Sequence, residues 1–412
     1  MALAQRRAAL WCALRVTFGA VAWYLCLVAA PAAAGPAASK YEADMSAFVA
    51  EVDKTYPFLD LKGIRADWSA AKVRLAVSAK ACRSDADFLG LVLDAIRCLR
   101  DAHMDLAGAK AKPAERPPLY YPGLSFLPAV DNAVVVMVPP PGNEKTLPAG
   151  TVVTEIDGKN ARQVLEERTK KAWAQGGPFS SPQRARLFEY RMPLTGPVKG
   201  EQHRITYLAG RTKQTVVLTS AVEASGWPHV FNMPAGLTAV GRSFQYAKLP
   251  SGVGYMYIRR VDESTGPGMA EALVKIAGAK GWIVDLRGNG GGGYDDAVIK
   301  AIKAFPQPVA VLIDAGCISA GETLARDFAR YAKARLFGSA TAGSSSSKQQ
   351  WTFPSGIASI TLSVRSRQGV DGKPIEFNGI VPDVAVEEVP AEMVSGQNSC
   401  ILRAEEYLLK KP

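Results

Sequence analysis

The sequence predicts a mixed protein, α/β in its last part and α+β overall, made of several domains behind an export signal. Its 412 residues are too many for one small core. A composition of 48% hydrophobic and 21% charged residues is typical of a globular protein. From about residue 238, strand patterns alternate with helix patterns, which predicts a largely parallel sheet with crossover helices.

The first 34 residues have the pattern of a secretory signal peptide (1–34). Arg6 and Arg7 supply a positive start, and residues 16–30 form an apolar stretch too short to span a bilayer comfortably. Small residues at 30–35 offer a cleavage site for a signal peptidase. We therefore expect a periplasmic or secreted protein that contacts a membrane only through this segment, if it stays uncleaved.

The charge pattern limits the classes of partner and cofactor. The net charge of +11 is spread along the chain without a dense Lys/Arg run among aromatic residues, so we expect no nucleic-acid partner. The sequence has no ligand spacing typical of zinc, and we expect neither a metal nor an organic cofactor. No oligomeric state is predicted.

The cysteines beyond the signal segment are Cys82, Cys98, Cys317 and Cys400, an even number that permits disulfides in an exported chain. Cys82 and Cys98 are not expected to pair, because a helix between them would separate its ends by roughly 20 Å. Other pairings stay open.

Residues 36–113 form a region of helical patterns. Apolar residues recur at helical spacing before Pro57, and a further helix begins after Ser84 as its N-cap and runs to Leu99. This helix ends in a polar segment that contains His103. A Pro-rich basic stretch then indicates a linker before the next domain.

Residues 118–222 combine short strand patterns with a helix at about 161–174. The size and the mixture of short elements favour a small binding module. The last domain, at 238–391, shows strands at 252–258, 282–286 and 309–313 and helices at 269–279, 295–305 and 320–331. A C-terminal tail, 392–412, follows.

Two consecutive strands of the last domain end in unusual loops. One loop, 285–293, is rich in glycine, and the other, 314–322, places Ser319 at the start of a helix. Active sites in such sheets collect at the carboxyl ends of the strands. The free N–H groups and the positive dipole end of a helix stabilise an alkoxide or an oxyanion there. Ser319 is therefore a candidate nucleophile, with an ordinary N-cap serine as the alternative.

The glycine loop offers backbone N–H groups to the same place. A loop of glycines turns its N–H groups toward a neighbouring strand end. We expect an oxyanion hole formed by the Ala320 N–H and by the N–H of Gly290 or Gly291.

Two other motifs compete for these loops. Gly288, Gly290 and Gly293 satisfy the G-x-G-x-x-G pattern of dinucleotide-binding folds. Three observations weigh against a dinucleotide site: the unit comes late in the chain, an exported protein lacks a ready nicotinamide supply, and the pattern gives Ser319 no role. An esterase-type G-x-S-x-G turn is likewise disfavoured, because Cys317 stands where it requires glycine.

Four motifs together resemble one protein family. They are Asp-Leu-Arg-Gly-Asn-Gly-Gly-Gly at 285–292, Ser-Ala-Gly-Glu at 319–322, Gly-x-x-Thr-x-Gly at 338–343, and Asp-Gly…Gly-Ile-Val-Pro-Asp at 371–383. In this order and spacing, the chain resembles the tail-specific (C-terminal processing) serine proteases over about 240–390. The resemblance implies a crotonase-like α/β protease domain and a polypeptide substrate. Residues 148–158 are similar to a segment of PDZ domains, which implies a PDZ-like module at 118–222.

The chain departs from this family at the base. C-terminal processing proteases use a lysine at the position where this chain has Ser344, and Lys348 is displaced by four residues. The chain is closer to the branch of tricorn protease and the nisin-resistance protease, which use a histidine of an earlier domain. The segment around His103 is similar to the Asp-Gly-His-Thr segment of that branch. A neutral imidazole near pH 7 is well suited to accept the serine proton.

The other candidates follow from the same resemblance. His203 and His229 carry no motif. Glu376 matches an acidic position of the tricorn-like branch, where it holds a catalytic water, the serine or the substrate; a surface turn residue is the alternative. The predicted chemistry is acyl transfer, with Ser319 as nucleophile and His103 as general base. A non-catalytic protein that binds peptides or lipophilic ligands on the same fold is the second hypothesis.

Overall fold

A computed structural model describes residues 36–225, 233–293, 296–306 and 308–410. The predicted signal segment and His229 lie outside these residues. The described chain is a mixed α/β protein with helices and several sheets, as the sequence predicts.

Three helices begin the described chain, followed by a short strand. Their bounds are α1 (Pro36–Thr55), α2 (Arg65–Ala81), α3 (Asp85–Cys98) and β1 (Asp105–Ala107). The predicted start of α3 is confirmed: Ser84 Oγ accepts the Asp87 N–H at 3.1 Å, and the Asp87 carboxylate accepts the Ser84 N–H at 3.1 Å. Such a reciprocal capping box satisfies two N–H groups that have no partner within the helix.

The middle region is an antiparallel sheet with two helices. Its elements are β2 (Tyr120–Tyr121), β3 (Ser125–Pro128), a 3-10 turn (Val130–Asn132), β4 (Val134–Val138), β5 (Val152–Ile156), β6 (Lys159–Asn160), α4 (Ala161–Gln175), α5 (Pro182–Arg191), β7 (Gln202–Ala209), β8 (Thr212–Thr219) and β9 (Val222–Glu223). The main sheet has the order β3-β4-β5-β7-β8, with β6 paired to β5, and a separate core fills the space between the sheet and its helices.

The last region contains a seven-stranded sheet. Its elements are β10 (Thr238–Val240), β11 (Phe244–Lys248), β12 (Gly254–Ile258), α6 (Thr265–Lys275), β13 (Trp282–Asp285), α7 (Asp296–Lys303), β14 (Val309–Ile313), α8 (Ala320–Tyr331), β15 (Arg335–Gly338), β16 (Ser346–Thr352), β17 (Ser359–Ser366), α9 (Ile375–Asn378), β18 (Val384–Ala385), α10 (Pro390–Val394) and α11 (Ser399–Lys410). The strand order is β10-β11-β12-β13-β14-β15-β18, and the pairings from β12 to β18 are parallel, which confirms the predicted sheet type.

The register of this sheet places two loops side by side. Asp285 at the end of β13 pairs with Leu312, one residue before the end of β14. Because the two strands are parallel, the loops that follow them emerge at the same sheet edge. The glycine loop and the loop of Ser319 therefore meet. Helix α11, within the predicted tail, packs on this sheet from one face.

A second small sheet, β1-β17-β16, connects the first helices to the last region. Phe353 and Ile360 of this sheet region belong to the same hydrophobic core as Phe48 and Trp68 of the first helices. Since one core contains both parts, the segment that carries His103 is packed against the region that carries the serine loop.

No described helix has the length and hydropathy needed to cross a membrane. The four cysteines beyond the signal segment are free thiols, of which Cys82, Cys317 and Cys400 are buried.

Candidate active site

Ser319 occupies a strained turn between β14 and α8. Its backbone has φ 56° and ψ −119°, a conformation that L-residues with a side chain rarely adopt. The Ser319 N–H donates to Ser344 O at 2.9 Å and lies 3.2 Å from Glu322 Oε2. Strain of this kind costs of order 1–3 kcal/mol, is held by surrounding contacts, and is common at active sites.

The glycine loop lies directly against this serine, as the strand register requires. A methyl group added to Gly291 would lie 2.8 Å from Ser319 Cβ, and the loop adopts φ 75° at that glycine. A further contact, from the Ile318 N–H to Asn289 O at 2.9 Å, joins the two loops. Only a residue without a Cβ fits at position 291.

The three N–H groups predicted to form the oxyanion hole differ in their hydrogen bonding. The Gly290 N–H donates to Arg259 O at 3.0 Å, and the Gly291 N–H donates to Asn289 Oδ1 at 2.8 Å. Ala320 is the first residue of α8, where a backbone N–H has no acceptor within the helix. The assignment of the hole to these three residues stays a prediction.

Glu322 is a buried carboxylate that organises the loop after β15. It accepts hydrogen bonds from Thr341 Oγ1 at 2.6 Å, the Gly343 N–H at 2.8 Å and the Ser344 N–H at 2.9 Å. Burial raises the pKa of Glu322 to about 8, and the bonds from Thr341 and Gly343 oppose that rise. The carboxylate thereby fixes the segment that passes beside Ser319.

Neither of the two positions considered for a lysine base carries a buried lysine. Ser344 is buried, and its Oγ has no hydrogen-bond partner among the residues that the structure describes. Lys348 is exposed on β16. The place of the family's lysine is therefore filled by a short side chain.

His103 lies in the turn that precedes β1. Its backbone N–H donates to Asp101 Oδ1 at 2.9 Å, and within the described chain its buried Nδ1 has no hydrogen-bond partner. Burial lowers the pKa of His103 to about 4; Asp101 opposes this shift, while Lys348 and Lys62 add to it. The imidazole is therefore neutral at pH 7 and able to accept a proton.

Glu376 is fully buried, which does not fit a surface turn residue. Its Oε2 accepts the Ser345 N–H at 3.0 Å, and its Oε1 forms an ion pair with Lys62 Nζ at 2.8 Å. Burial and the charge of Asp101 raise the pKa of Glu376 to about 7, whereas Lys62 lowers it.

Lys62 is the central cation of this cluster, and sequence patterns did not indicate it. Its Nζ lies 3.6 Å from Asp101 Oδ2 and donates to Tyr56 Oη at 2.9 Å and to Arg100 O at 2.6 Å. Neither Lys62 nor the two carboxylates expose any side-chain surface. A buried charge requires partners of this quality, so the turn before α2 is a fixed part of the site.

The segment 344–346 connects these groups. Ser345 Oγ lies 3.5 Å from Ser319 O, and the N–H of the same Ser345 holds Glu376. His103 joins the cluster through Asp101, which accepts its N–H and faces Lys62. Ser319 and Glu376 thus contact one short segment of chain, whereas His103 is linked to Glu376 only through Asp101 and Lys62.

The middle region also contacts the site. Ser181 Oγ donates to Ala342 O at 2.6 Å, and Gln183 Nε2 donates to Phe377 O at 3.0 Å. Both residues lie at the start of α5, so this region and the site loops are held together. His203 lies elsewhere, 3.1 Å from Ser220 Oγ in the middle sheet. Among the described residues, no group of three or more acidic, histidine or cysteine side chains is arranged to hold a metal.

Comparison with known proteins finds a matching family model and solved structures of similar fold. Residues 252–306 and 300–386 match the model of Peptidase family S41. No curated protein matches the chain. Solved structures share its fold: mature CPAF complexed with lactacystin has 14% identity and a TM-score of 0.59 over 91% of this chain and 98% of that one. The CPAF s499a mutant has 12% identity and a TM-score of 0.58 over 91% and 97%.

The tricorn protease is also similar, with 16% identity and a TM-score of 0.45 over 90% of this chain and 37% of that one. The family match covers the domain that carries the strained serine, the glycine loop and Glu322. The family match and the shared fold together support a serine-type peptidase, similar to the members of peptidase family S41.

Proposed function

We propose that this chain is an exported serine endopeptidase that cleaves unfolded proteins or peptides through an acyl-enzyme on Ser319. The observation that carries the proposal is the backbone of Ser319, held at a positive φ between a parallel strand and a helix. An ordinary N-cap serine adopts an extended conformation with negative φ, as Ser84 does here. The strain instead presents the hydroxyl at the sheet edge where substrates bind.

The general base in this proposal is His103. Its neutral imidazole accepts the proton as Ser319 Oγ attacks the peptide carbonyl, and returns it to the leaving amine. Glu376 and Lys62 position the segment beside the serine, because Glu376 accepts the Ser345 N–H and contacts Lys62. Water then releases the acyl-enzyme.

The oxyanion is assigned to the Ala320 N–H and a second donor from the glycine loop. Of the two glycines, Gly291 is the better candidate, because its N–H is bound only by the side chain of Asn289. The Gly290 N–H is bound by a main-chain carbonyl. Exchange of a side-chain acceptor for the substrate oxyanion requires less backbone movement.

The domain organisation of the proposal is a helical cap at 36–113, a PDZ-like module at 118–222 and the catalytic domain at 238–391. The antiparallel strands and two helices of the middle region support the PDZ-like assignment. The N-terminal segment 1–34 directs export in this proposal. Mass spectrometry of the protein from an exporting host tests the export: a mature N-terminus near residue 35 is expected, and an intact N-terminus retained inside the cell contradicts it.

A second function is favoured by two observations. The N–H groups of Gly290 and Gly291 are engaged within the protein, and Ser344 replaces the lysine of the C-terminal processing proteases. These features suit a non-catalytic protein that binds peptides or lipophilic ligands.

Cleavage of unfolded casein by the purified chain separates the two functions. We expect cleavage by the wild type and a loss of about a thousandfold or more in both Ser319→Ala and His103→Ala, since the two groups act as a unit. Ser69→Ala, an exposed serine of α2, is the matched control and retains activity. Cleavage that survives Ser319→Ala removes the proposal, and a folded wild type without cleavage favours the binding protein.

A further inference from the structure

A cationic cleft opens beside the site. It has a volume of about 910 Å³ and lies between the second half of α8 and the turn that follows β17. Arg326, Arg330, Arg365 and Arg367 line it, and no acidic side chain does. Four guanidinium groups around one cleft repel one another, so the arrangement favours an anionic ligand.

Most of this charge is available to a ligand. Arg326 is paired with Asp327 at 2.8 Å. Arg330, Arg365 and Arg367 are exposed, and they form no ion pair with any residue in the described part of the chain. Guanidinium groups bind carboxylates with two parallel hydrogen bonds, so such free arginines form strong carboxylate sites.

The cleft adjoins the groups assigned to catalysis. The Arg367 N–H donates to Ser345 O at 3.2 Å, and Ser366 Oγ accepts the Glu376 N–H at 3.0 Å. The same Ser345 donates its own N–H to Glu376. One wall of the cleft is therefore the strand that also forms the site.

Helix α8 fixes the distance from the cleft to the nucleophile. Ser319, Arg326 and Arg330 are separated by seven and four residues, which places them on one face of the helix. A rise of 1.5 Å per residue sets the two arginines roughly 10 and 16 Å from the serine along the axis. An extended peptide covers about 3.3 Å per residue, so this span corresponds to roughly three to five residues.

We propose that this cleft binds carboxylates of the polypeptide substrate, three to five residues from the cleaved bond, and thereby selects acidic segments. The inference rests on the proposed peptidase function and names its substrate class. The carboxylates are acidic side chains of the substrate, and binding of its C-terminal carboxylate is the alternative that the test distinguishes. Val370 is the only apolar residue of the lining, and no aromatic side chain belongs to it. The cleft therefore offers no surface on which nucleobases could stack or acyl chains could pack.

A binding assay on the uncleaving Ser319→Ala chain tests this without relying on turnover. Fluorescence anisotropy is measured with three labelled peptides: a Glu-rich peptide with an amidated C-terminus, its Gln-matched amide, and the Gln-matched peptide with a free carboxylate. We expect the Glu-rich amide to bind at least about tenfold more tightly than the Gln-matched amide, which is the gain that one charge-assisted hydrogen bond gives. The preference decreases as salt rises.

The double variant Arg330→Gln/Arg365→Gln, made in the Ser319→Ala chain, is expected to abolish this preference. Arg211→Gln, an exposed arginine at the turn between β7 and β8, is the matched control and keeps it. Thermal unfolding confirms that each variant is folded. The Glu-rich amide and the free-carboxylate peptide distinguish the two sources of carboxylate.

Equal binding of the Glu-rich amide and the Gln-matched amide, or a preference that survives the double variant, overturns the inference. Tighter binding of the free-carboxylate peptide alone overturns the selection of acidic side chains. Displacement of the acidic peptide by a single-stranded oligonucleotide at lower concentration overturns the assignment to polypeptide. A negative result in this peptide-binding test does not change the outcome of the casein-cleavage test. Conversely, a chain that binds acidic peptides through these arginines but cleaves no casein removes only the peptidase proposal.

Discussion

At the scale of single residues, the site depends on one strained backbone and the glycine that permits it. Ser319 keeps a positive φ because Ser344 O and the Glu322 carboxylate hold its N–H. Gly291 leaves room for the serine Cβ, which an added methyl group would approach to 2.8 Å. The same contacts hold this strained backbone at the carboxyl edge of the sheet.

Gly291→Ala is therefore expected to remove activity and to lower the free energy of unfolding by about 1–3 kcal/mol, from the strained φ and the clash. Casein cleavage and chemical denaturation measure the two effects. Gly210→Ala is the control, because it also has a positive φ but nothing lies within 4 Å of its added methyl group. The Gly210→Ala variant shares the backbone strain, so its free energy of unfolding falls, while its activity is retained. Full activity in Gly291→Ala contradicts the packing described for the serine.

His103 gives a residue-scale prediction about pH. Its pKa of about 4 lies below the ordinary histidine value because burial disfavours the charged ring. The His103 imidazole is therefore neutral from neutral pH down to about 4, and it becomes protonated only below that. Because the chain has three histidines, NMR titration with His103→Gln for assignment resolves this signal. A midpoint near 4 to 5 is expected, and titration near 6.5 contradicts the burial of the ring.

At the scale of elements, the turn before α2 supports the catalytic loop through Lys62. The side chain crosses from the first helices to Glu376 and Asp101 with no exposed surface. A buried pair that loses one partner leaves an uncompensated charge, which costs more than the pair itself contributes.

Lys62→Met is expected to destabilise the fold by about 3–5 kcal/mol, the range for breaking a buried ion pair. It also raises the pKa of Glu376, because Lys62 is the group that lowers it. Lys72→Met removes a lysine from a partly exposed pair with Asp53 and is expected to cost at most about 1 kcal/mol. Urea unfolding of both variants measures the difference, and equal costs contradict the buried network.

The elements themselves were predicted from the sequence to different degrees. Strand β14 and helix α8 have the predicted bounds, since a short apolar run and an amphipathic repeat are strong local signals. Helix α6 was placed at 269–279, but it spans Thr265–Lys275. Its Gly-Pro-Gly start resembles a loop, yet proline is tolerated in the first turn of a helix, where its missing N–H has no partner anyway.

The parts of the candidate site that lie at strand ends were predictable from the sequence. The parts that depend on tertiary packing were not. The meeting of the glycine loop with the loop of Ser319 follows from the sequence, because parallel strands bring their carboxyl ends together. Lys62 was missed, because a lone lysine in an apolar turn looks like a surface residue until tertiary burial surrounds it with carboxylates. The hydrogen bond of the Gly291 N–H was not predictable either. Its acceptor is the side chain of Asn289, and the periodicity of a sequence gives no information on the orientation of such a side chain.

At the scale of the whole molecule, the first helices and the serine domain share one core. Phe353, after β16, packs against Phe48 and Phe88 with ring centroids 6.2 and 5.4 Å apart. The segment with His103 extends from the same helices. In the proposed mechanism, His103 therefore keeps its place only while the first helices are folded onto the small sheet.

Phe353→Ala is expected to cost about 3–5 kcal/mol, the range for removing a fully buried aromatic ring. Loss of helical circular dichroism and loss of casein cleavage should occur together along a denaturant series, because one core contains both parts. Val274→Ala, at a side chain that is 75% exposed, is the control with little effect. Activity that survives after the cap has unfolded contradicts the role of the cap in supplying the base.

The most direct test of the account is covalent labelling by a fluorophosphonate, whose phosphorus is attacked by an activated serine Oγ as fluoride leaves. One adduct per chain is expected, located by peptide mass spectrometry at Ser319, absent in Ser319→Ala and much slower to form in His103→Gln. An adduct at another serine, or labelling at Ser319 that is as fast without His103, would contradict the assignment of nucleophile and base.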